Sequence, residues 1–283
     1  MFAGQPQRES EDVRETGDAV VRVVTWNLWW RFGPWAERQK AVLAVLRELR
    51  PDAVGLQEVW AADDGGNLAE WLAGELGLHW AWAAYGAPER WQRRIGDDRV
   101  VIGAAVLSRW PVLEQAALRL PAPAALDDGR IALRTTLDTP GHPVPFCTVH
   151  LTSAPHASAV RHRQVTALTD FVDRHRRGSA YPPVLTGDFN AGPGTDEIRL
   201  LTARGFTDAW DLADPAAPSA TLDPANPHIT GDGPPQRVDY VRPGPPGPGG
   251  LGRVRAVRRA GDAPVDGVWP SDHFAVVADL EGP

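Results

Sequence analysis

Apolar residues in this chain follow two rhythms. Short apolar-rich stretches, bounded by polar or turn-forming residues, predict strands, buried on both faces where the run is unbroken as at 20–25 and 53–56. They cover Val20–Thr25, Ala53–Leu56, Val100–Ser108, Val112–Leu120, Ile131–Leu137, Val144–Leu151, Pro183–Thr186, Arg237–Val241, Val254–Arg258 and Phe274–Leu280. Between them, apolar residues recur every three or four positions and predict helices over Trp35–Leu49, Asn67–Leu76, Ala157–Arg176 and Glu197–Ala203. The first of these carries Val42, Leu43, Val45, Leu46 and Leu49 on one face and stops at Pro51. Pro243 to Gly252 reads as a Pro/Gly loop. Two halves mix helices and strands with no linker between them and no repeat. Two β-sheets packed face to face, with helices outside, account for this order, although the pattern alone does not choose it over other α/β layouts.

Composition narrows the class. The 283 residues carry 28 Gly and 27 Pro, about a fifth of the chain, with no collagen-like period, so long ordered loops are expected. A single cysteine, Cys147, excludes an internal disulfide and a thiolate metal cluster. Residues 1–19 are acidic and lack the basic start and apolar middle of a signal peptide, so they read as a solvated tail before one domain at 20–283. With no transmembrane run, the expected location is cytoplasmic. The formal net charge of -7 argues against a dedicated binder of long nucleic acid. One local exception is the stretch 237–259, whose six arginines read either as a phosphate-facing edge or as a solvated strand face.

The chemistry-bearing residues sit where the apolar runs end. Asn27 follows Val23-Val24-Thr25-Trp26, Glu58 follows Val54-Gly55-Leu56-Gln57, and His150 follows Phe146-Cys147-Thr148-Val149. Asp188 and Asn190 follow Val184-Leu185-Thr186-Gly187. Asp239 lies inside Arg237–Val241, and Asp272-His273 precede the last strand. Taken singly, each strand-end carboxylate is an ordinary turn residue. Together they combine hard oxygen ligands suited to Mg²⁺ or Mn²⁺ with two histidines suited to proton transfer.

In this order the segments Thr25-Trp26-Asn27-Leu28, Leu56-Gln57-Glu58-Val59, Val106-Leu107-Ser108-Arg109, Thr148-Val149-His150-Leu151, Gly187-Asp188-Phe189-Asn190, Arg237-Val238-Asp239-Tyr240-Val241 and Ser271-Asp272-His273 resemble the endonuclease/exonuclease/phosphatase superfamily, the deoxyribonuclease I-like proteins. The resemblance implies a four-layer α/β/β/α sandwich and metal-dependent hydrolysis of a phosphate ester. It implies Glu58 as principal Mg²⁺ (or Mn²⁺) ligand, with Asn27 and Asp272 beside it. Asp188 and Asn190 are implied at the attacking water, and His273, oriented by Asp239, at the phosphate. His150 is implied as a donor to the phosphate or leaving group, and its presence argues against the abasic-site repair branch. Asn226, in a loop found in some bacterial members, is a substrate-facing candidate. Two departures stand out. Gly103-Ala104 replaces a Gly-Asn pair, and no acid partner of His150 is evident, although Glu89, Asp97 and Asp98 fall in about the right stretch.

Ten of the twelve tryptophans lie in the first 110 residues, and Trp29, Trp30, Trp35 and Trp60 follow the motifs closely. They read as core packing or as an aromatic rim for a base or an apolar substrate group. The leading expectation is a hydrolase of a small or lipid-like phosphodiester or phosphomonoester. A DNA or RNA nuclease of the same fold comes second, and an inactive binding module third. The oligomeric state is left open.

Overall fold

The computed structural model describes residues 20–175, 178–230 and 232–282. The expected tail at 1–19 and the end of the predicted helix at Arg176 lie outside them. Eleven strands and five α-helices are present among the described residues. The chain runs β1 (Val20–Asn27), α1 (Trp35–Leu49), β2 (Ala53–Ala62), α2 (Leu68–Leu76), β3 (His79–Ala84), α3 (Pro88–Ile95), β4 (Val100–Ser108) and β5 (Val112–Arg119). It continues through β6 (Ile131–Leu137), β7 (Val144–His150), α4 (Ser158–Arg174), β8 (Val184–Asp188), α5 (Asp196–Ala203), β9 (Asp239–Pro243), β10 (Val254–Ala260) and β11 (Ala275–Glu281). One sheet has the order β10-β11-β1-β2-β4-β3 and the other β5-β6-β7-β8-β9. Each is mixed, with one parallel pair, β1 with β2 and β7 with β8. No helix among the described residues is long and apolar enough to cross a membrane.

Most inner strands read as apolar runs because both of their faces are buried, whereas the edge strands β3, β5 and β10 are largely exposed. Alternate residues of one strand enter different cores. In β1, Val21 and Val23 join the core between the sheets, whereas Val24 and Trp26 pack under α1 and α2 with Leu46 and Leu72. In β7 and β8, Phe146 and Val184 face the other sheet. Cys147, Val149 and Leu185 pack against Leu168 and Val172 of α4 and Leu201 of α5. Three cores thus separate four layers, the α/β/β/α sandwich expected.

Two elements escaped the sequence pattern. In β3 only Ala81 is buried, because this strand is the sheet's edge. In α3 a single residue, Trp91, is buried, so no apolar stripe marks the helix. Apart from these, strands and helices fall within a few residues of expectation, except that β2 runs on to Ala62 through a bulge between Leu56 and Val59.

The inner faces change character along the strands. Above the apolar layer lies a buried polar layer in which Gln57 Nε2 donates to Thr25 Oγ1 at 3.1 Å and to Thr148 Oγ1 at 2.7 Å. Thr186 Oγ1 donates to the Cys147 carbonyl at 3.0 Å. The sheets come close here because residue 55 is glycine. A Cβ at that position would stand 2.1 Å from Thr186 Oγ1 and 2.9 Å from Thr148 Oγ1.

Gly55→Ala should therefore lower stability by about 1–3 kcal/mol, the usual cost of overpacking a core. Adding Thr186→Ala should recover part of the loss, since the clashing oxygen is removed. Urea midpoints of the two single variants and the double variant measure this. Strictly additive losses would show that the contact between the sheets does not limit stability.

Candidate active site

One step beyond the polar layer, the strand ends carry the predicted residues. Inner-face positions in β1 are 21, 23, 25 and then Asn27. In β7 they are 146, 148 and His150, and in β8 184, 186 and Asp188. Register does the rest. His150 is paired with Asp188 across β7 and β8, and Asp188 with Asp239 across β8 and β9.

Glu58 reaches the site differently. Strand alternation assigns position 58 to the helix-covered face, with Val54 and Leu56. The bulge breaks the alternation. Glu58 takes a left-handed backbone (φ 54), and the following Val59 returns to the helix-side core. Trp29, Trp30 and Asn190 also have positive φ (55, 38 and 47). Four non-glycine residues in this uncommon region thus border one site, a pattern associated with functional geometry.

Asp188, 1% exposed, is the focus. Its Oδ2 accepts from Asn27 Nδ2 at 3.1 Å and lies 3.1 Å from His150 Nε2 and 3.9 Å from His273 Nε2. Its Oδ1 accepts from the Asn190 backbone N–H at 2.8 Å. Burial pushes the Asp188 carboxyl up, but the charge and hydrogen bond of His150, then His273 and the Asn190 amide, more than offset this. The group is held well below the usual carboxylate range. His273 Nδ1 bonds Asp239 Oδ2 at 2.8 Å. Burial opposes the charge on His273, but the carboxylates of Asp239, Asp272 and Asp188 outweigh it and raise its pKa well above the ordinary value. Ligating atoms of Asp188, Asp239 and His273 all lie within 4.8 Å of one another.

The two remaining acids form a separate group. Glu58 is 8% exposed, and His150, at 4.0 Å, is the ion-pair partner of its carboxylate. Among the described residues no hydrogen-bond donor is aimed at its oxygens. Asp272 is half-buried and accepts from Ser271 Oγ at 3.3 Å. Burial, with Glu58 adding repulsion against the pull of His273, pushes its carboxyl up to about 7. Asn27 Oδ1 accepts the Trp29 N–H at 3.0 Å and keeps a second lone pair. Two underpaired, mutually repelling carboxylates and an amide oxygen form a donor set that fits a hard divalent cation.

A model of the Endonuclease/Exonuclease/phosphatase family matches residues 24–273. The chain belongs to this family. No curated protein matches the sequence. Among solved structures, an endonuclease/exonuclease/phosphatase from Beutenbergia cavernae DSM 12333 is 24% identical with a TM-score of 0.71, covering 93% of this chain and 71% of that one. The human Nocturnin catalytic domain with bound sulfate anion is 20% identical (TM-score 0.69; 93% and 95% covered). D. rerio TDP2 complexed with single strand DNA product is 19% identical (TM-score 0.73; 93% and 99% covered). At these identities the likeness is one of fold.

Within this family member, the structure also places residues that the motifs did not mark. The carboxylate beside His150 Nε2 is Asp188 itself. Asp97, one of the stretch considered for that role, pairs instead with Arg31 and Arg99. At His150 Nδ1 stands the buried Tyr85 hydroxyl, at 3.0 Å. Arg130, 3% exposed, packs against the His150 ring and lies 2.9 Å from Asp128 Oδ2. Neither Tyr85 nor Arg130 belongs to a strand-end motif, so no pattern in the chain drew attention to them. Arg38, on the buried face of α1 with Val42 and Val45, is 2% exposed and donates to the carbonyls of Leu28, Trp29, Trp30, Phe32 and Pro270. It ties the turn after Asn27 to the segment before Asp272.

Two expectations need correcting. Asn226 is fully buried, and its amide is spent on the Ser271 carbonyl (2.8 Å) and the His228 N–H (3.0 Å), so it shapes loops and does not face substrate. Asn190 Nδ2 donates to the Leu151 carbonyl at 3.0 Å, and this half-buried side chain keeps a second N–H and its Oδ1 for other partners. The 237–259 stretch is also not an open phosphate-facing edge, since five of its six arginines face acids of the fold. Arg237 and Arg242 lie at Asp208, Arg253 and Arg255 at Glu281, and Arg259 at Asp223 and Asp262.

Saturating Mg²⁺ should raise the Tm of the EDTA-treated protein by about 5 °C or more, through binding to the folded state alone. Glu58→Gln should abolish the rise. Because the folded Asp272 pKa exceeds its unfolded value, its contribution to stability is full below about pH 4 and lost as pH rises through about 7. In EDTA at pH 8, Asp272→Asn should therefore melt above wild type, with the gap closing as pH falls below 7. Thermal melts at several pH values check both, and a lower Tm at pH 8 would refute the repulsion.

Proposed function

We propose that this protein hydrolyses phosphoric esters with a divalent cation, Mg²⁺ or Mn²⁺, by attack of water on phosphorus. The observation that carries this reading is the convergence of Asn27 and Glu58 from one sheet, and His150, Asp188 and Asp239 from the other, on one rim with His273. Glu58, Asp272 and the second lone pair of Asn27 Oδ1 would hold the cation. When bound, it supplies charge to stabilise the phosphoryl oxygens and lowers the pKa of water.

The protein's own groups divide the remaining work. Asp188 orients the attacking water and accepts its hydrogen, because its carboxylate is held in place by donors on both oxygens. His273 has Nδ1 committed to Asp239, so only Nε2 faces the phosphate, and its raised pKa makes it a donor there. It is therefore the acid of the pair and Asp188 the base. His150 and the Arg130 guanidinium stand on the other side of Asp188, where positive charge and N–H groups steady developing negative charge on the ester oxygens.

A small phosphodiester or phosphomonoester is the preferred substrate, since the net charge is -7 and five of the six arginines at 237–259 face acids of the fold. A nuclease activity is the second reading, supported by the likeness in fold to a TDP2 structure that holds single strand DNA product.

A screen of phosphodiesters, phosphomonoesters and short DNA with Mg²⁺ and with excess EDTA tests the reaction class. Turnover unaffected by EDTA would overturn the proposed chemistry. Asp239→Asn should leave the shape intact but allow the wrong His273 tautomer, cutting kcat by about 10²–10⁴-fold with little change in KM or Tm. If Asp239 merely satisfied backbone amides, Tm would fall and kcat would hold.

A further inference from the structure

Both histidines of the site turn Nε2 toward Asp188 Oδ2, His150 at 3.1 Å and His273 at 3.9 Å. They differ in what holds Nδ1. For His273 it is the Asp239 carboxylate. For His150 it is a phenol, the Tyr85 hydroxyl at 3.0 Å. Tyr85 is buried, and the acceptor that its O–H reaches is His150 Nδ1, because the Glu58 backbone N–H beside it is itself a donor. A tyrosine hydroxyl carries its proton at neutral pH, and a buried hydroxyl proton needs an acceptor. Nδ1 therefore accepts from Tyr85. Nε2, facing a carboxylate that can only accept, carries the hydrogen of the ring.

Arg130 does not take this place. Its Nη1 comes about equally close to both ring nitrogens, whose lone pairs diverge in the ring plane, so it lies against the face of the imidazole and on neither lone pair. The Tyr85 bond also crosses between the sheets. Tyr85 continues β3, donating its N–H to the Ile102 carbonyl of β4 at 2.8 Å, whereas His150 ends β7 of the other sheet. Helix α3 braces it. Trp91, the buried residue of that helix, packs edge to face against Tyr85 and Trp30, with ring centres 5.9 and 6.0 Å apart, and donates Nε1–H to the Asp128 carbonyl at 2.8 Å. The Arg130 guanidinium lies over the Trp91 ring at 4.7 Å and reaches Ser153 Oγ at 3.2 Å. The phenol is thus fixed by its surroundings and cannot follow His150 if the imidazole turns.

We propose that Tyr85 is a positioning residue that holds His150 as the Nε2–H tautomer with its ring aimed at Asp188, the part that a carboxylate plays for His273. This rests on the phosphoric ester hydrolase reading, in which Asp188 accepts the hydrogen of the attacking water. The His150 N–H occupies one side of Asp188 Oδ2 and keeps the carboxylate from turning. Without the Tyr85 hydroxyl the imidazole is free to rotate about its Cβ–Cγ bond, and the carboxylate loses a fixed donor. A phenol does this work without placing another carboxylate beside Glu58 and Asp188, where like charges repel.

Tyr85→Phe removes the hydroxyl and keeps the ring against Trp91. In EDTA-treated protein carrying ¹⁵N-labelled histidine, long-range ¹H–¹⁵N NMR at pH 8 reads the His150 ring, identified by the signals lost in His150→Asn. Wild type should show an unprotonated Nδ1 and an Nε2–H proton protected from exchange with water. In Tyr85→Phe the Nδ1 signal should move toward that of a free nitrogen, and the protection of Nε2–H should be lost. A protonated Nδ1 in wild type overturns the proposal whatever the variant does, and so does a ring unchanged by Tyr85→Phe. With Mg²⁺ and bis(p-nitrophenyl) phosphate, the variant should keep its KM and lose about 10–100-fold in kcat, as loss of a partner that orients a site residue does. A role in packing alone would lower Tm and leave kcat and the ring signals as they were, and that result overturns the positioning role. If wild type hydrolyses none of the phosphate esters offered, the hydrolase reading fails, and the NMR arm still decides whether Tyr85 holds His150 on Asp188.

Discussion

The close approach of the two sheets at Gly55 is the constraint on which the site depends. Asn27 and Glu58 belong to one sheet, and His150, Asp188 and Asp239 to the other. The bond from Asn27 Nδ2 to Asp188 Oδ2 spans the gap at 3.1 Å. It can form only because the layer beneath, built from Thr25, Gln57, Thr148 and Thr186, is small enough to let the backbones come together. That layer also manages solvation. Hydroxyl and amide groups that bond one another make a graded transition from the apolar core to a charged rim, so buried polar atoms are matched as the environment changes. Gly187 continues the same logic within one sheet. At φ 147 it lets β8 pass where a Cβ would stand 2.0 Å from the Val149 carbonyl, immediately before Asp188.

A second layer of organisation comes from one buried cation. Arg38 faces the backbone of the turn that follows Asn27 and the carbonyl of Pro270, two segments far apart in the chain. Burial lowers its pKa to about 10, and the charges of Asp272 and Glu58 oppose that shift. The same guanidinium therefore satisfies loop carbonyls, supports a strained turn and moderates the repulsion between the two acids proposed to hold the cation. Trp26 adds a further tie by donating to the His273 carbonyl at 2.8 Å. Rigid support of this kind is what a site needs if its groups are to be held ready before substrate arrives.

Much of this was legible in the chain. Buried strands could be found because both faces are covered, which turns the usual alternation into plain apolar runs. Asn27, His150 and Asp188 could be singled out because polar residues ending such runs are placed at a rim by strand geometry itself, and Asp239 because its segment resembles a family motif. What the pattern hid has equally definite causes. Edge strand β3 and helix α3 bury one residue each, too few for a period to appear. Tyr85 and Arg130 act through contacts distant in sequence, and Arg38 through the backbone of a neighbouring turn and of Pro270, none of which a local apolar period reveals. Asn226 was found but given the wrong task, since its amide is consumed by two backbone groups.

By itself the sequence determined most of the strands and helices, their order along the chain and the set of polar residues at strand ends, because these follow from local periodicity and residue chemistry, whereas the four-layer architecture was implied by the family resemblance and not by the pattern. Only the tertiary structure decided that Glu58 turns inward. Strand alternation sends that position to the helix-covered face, and a bulge is recognised only by what its partner strand does. The same holds for Trp29. Its neighbours in sequence are indistinguishable from it, yet the left-handed turn buries Trp30 and leaves Trp29 against His228, two hundred residues along the chain, because side-chain direction after a turn is set by backbone dihedrals and packing that no local pattern encodes.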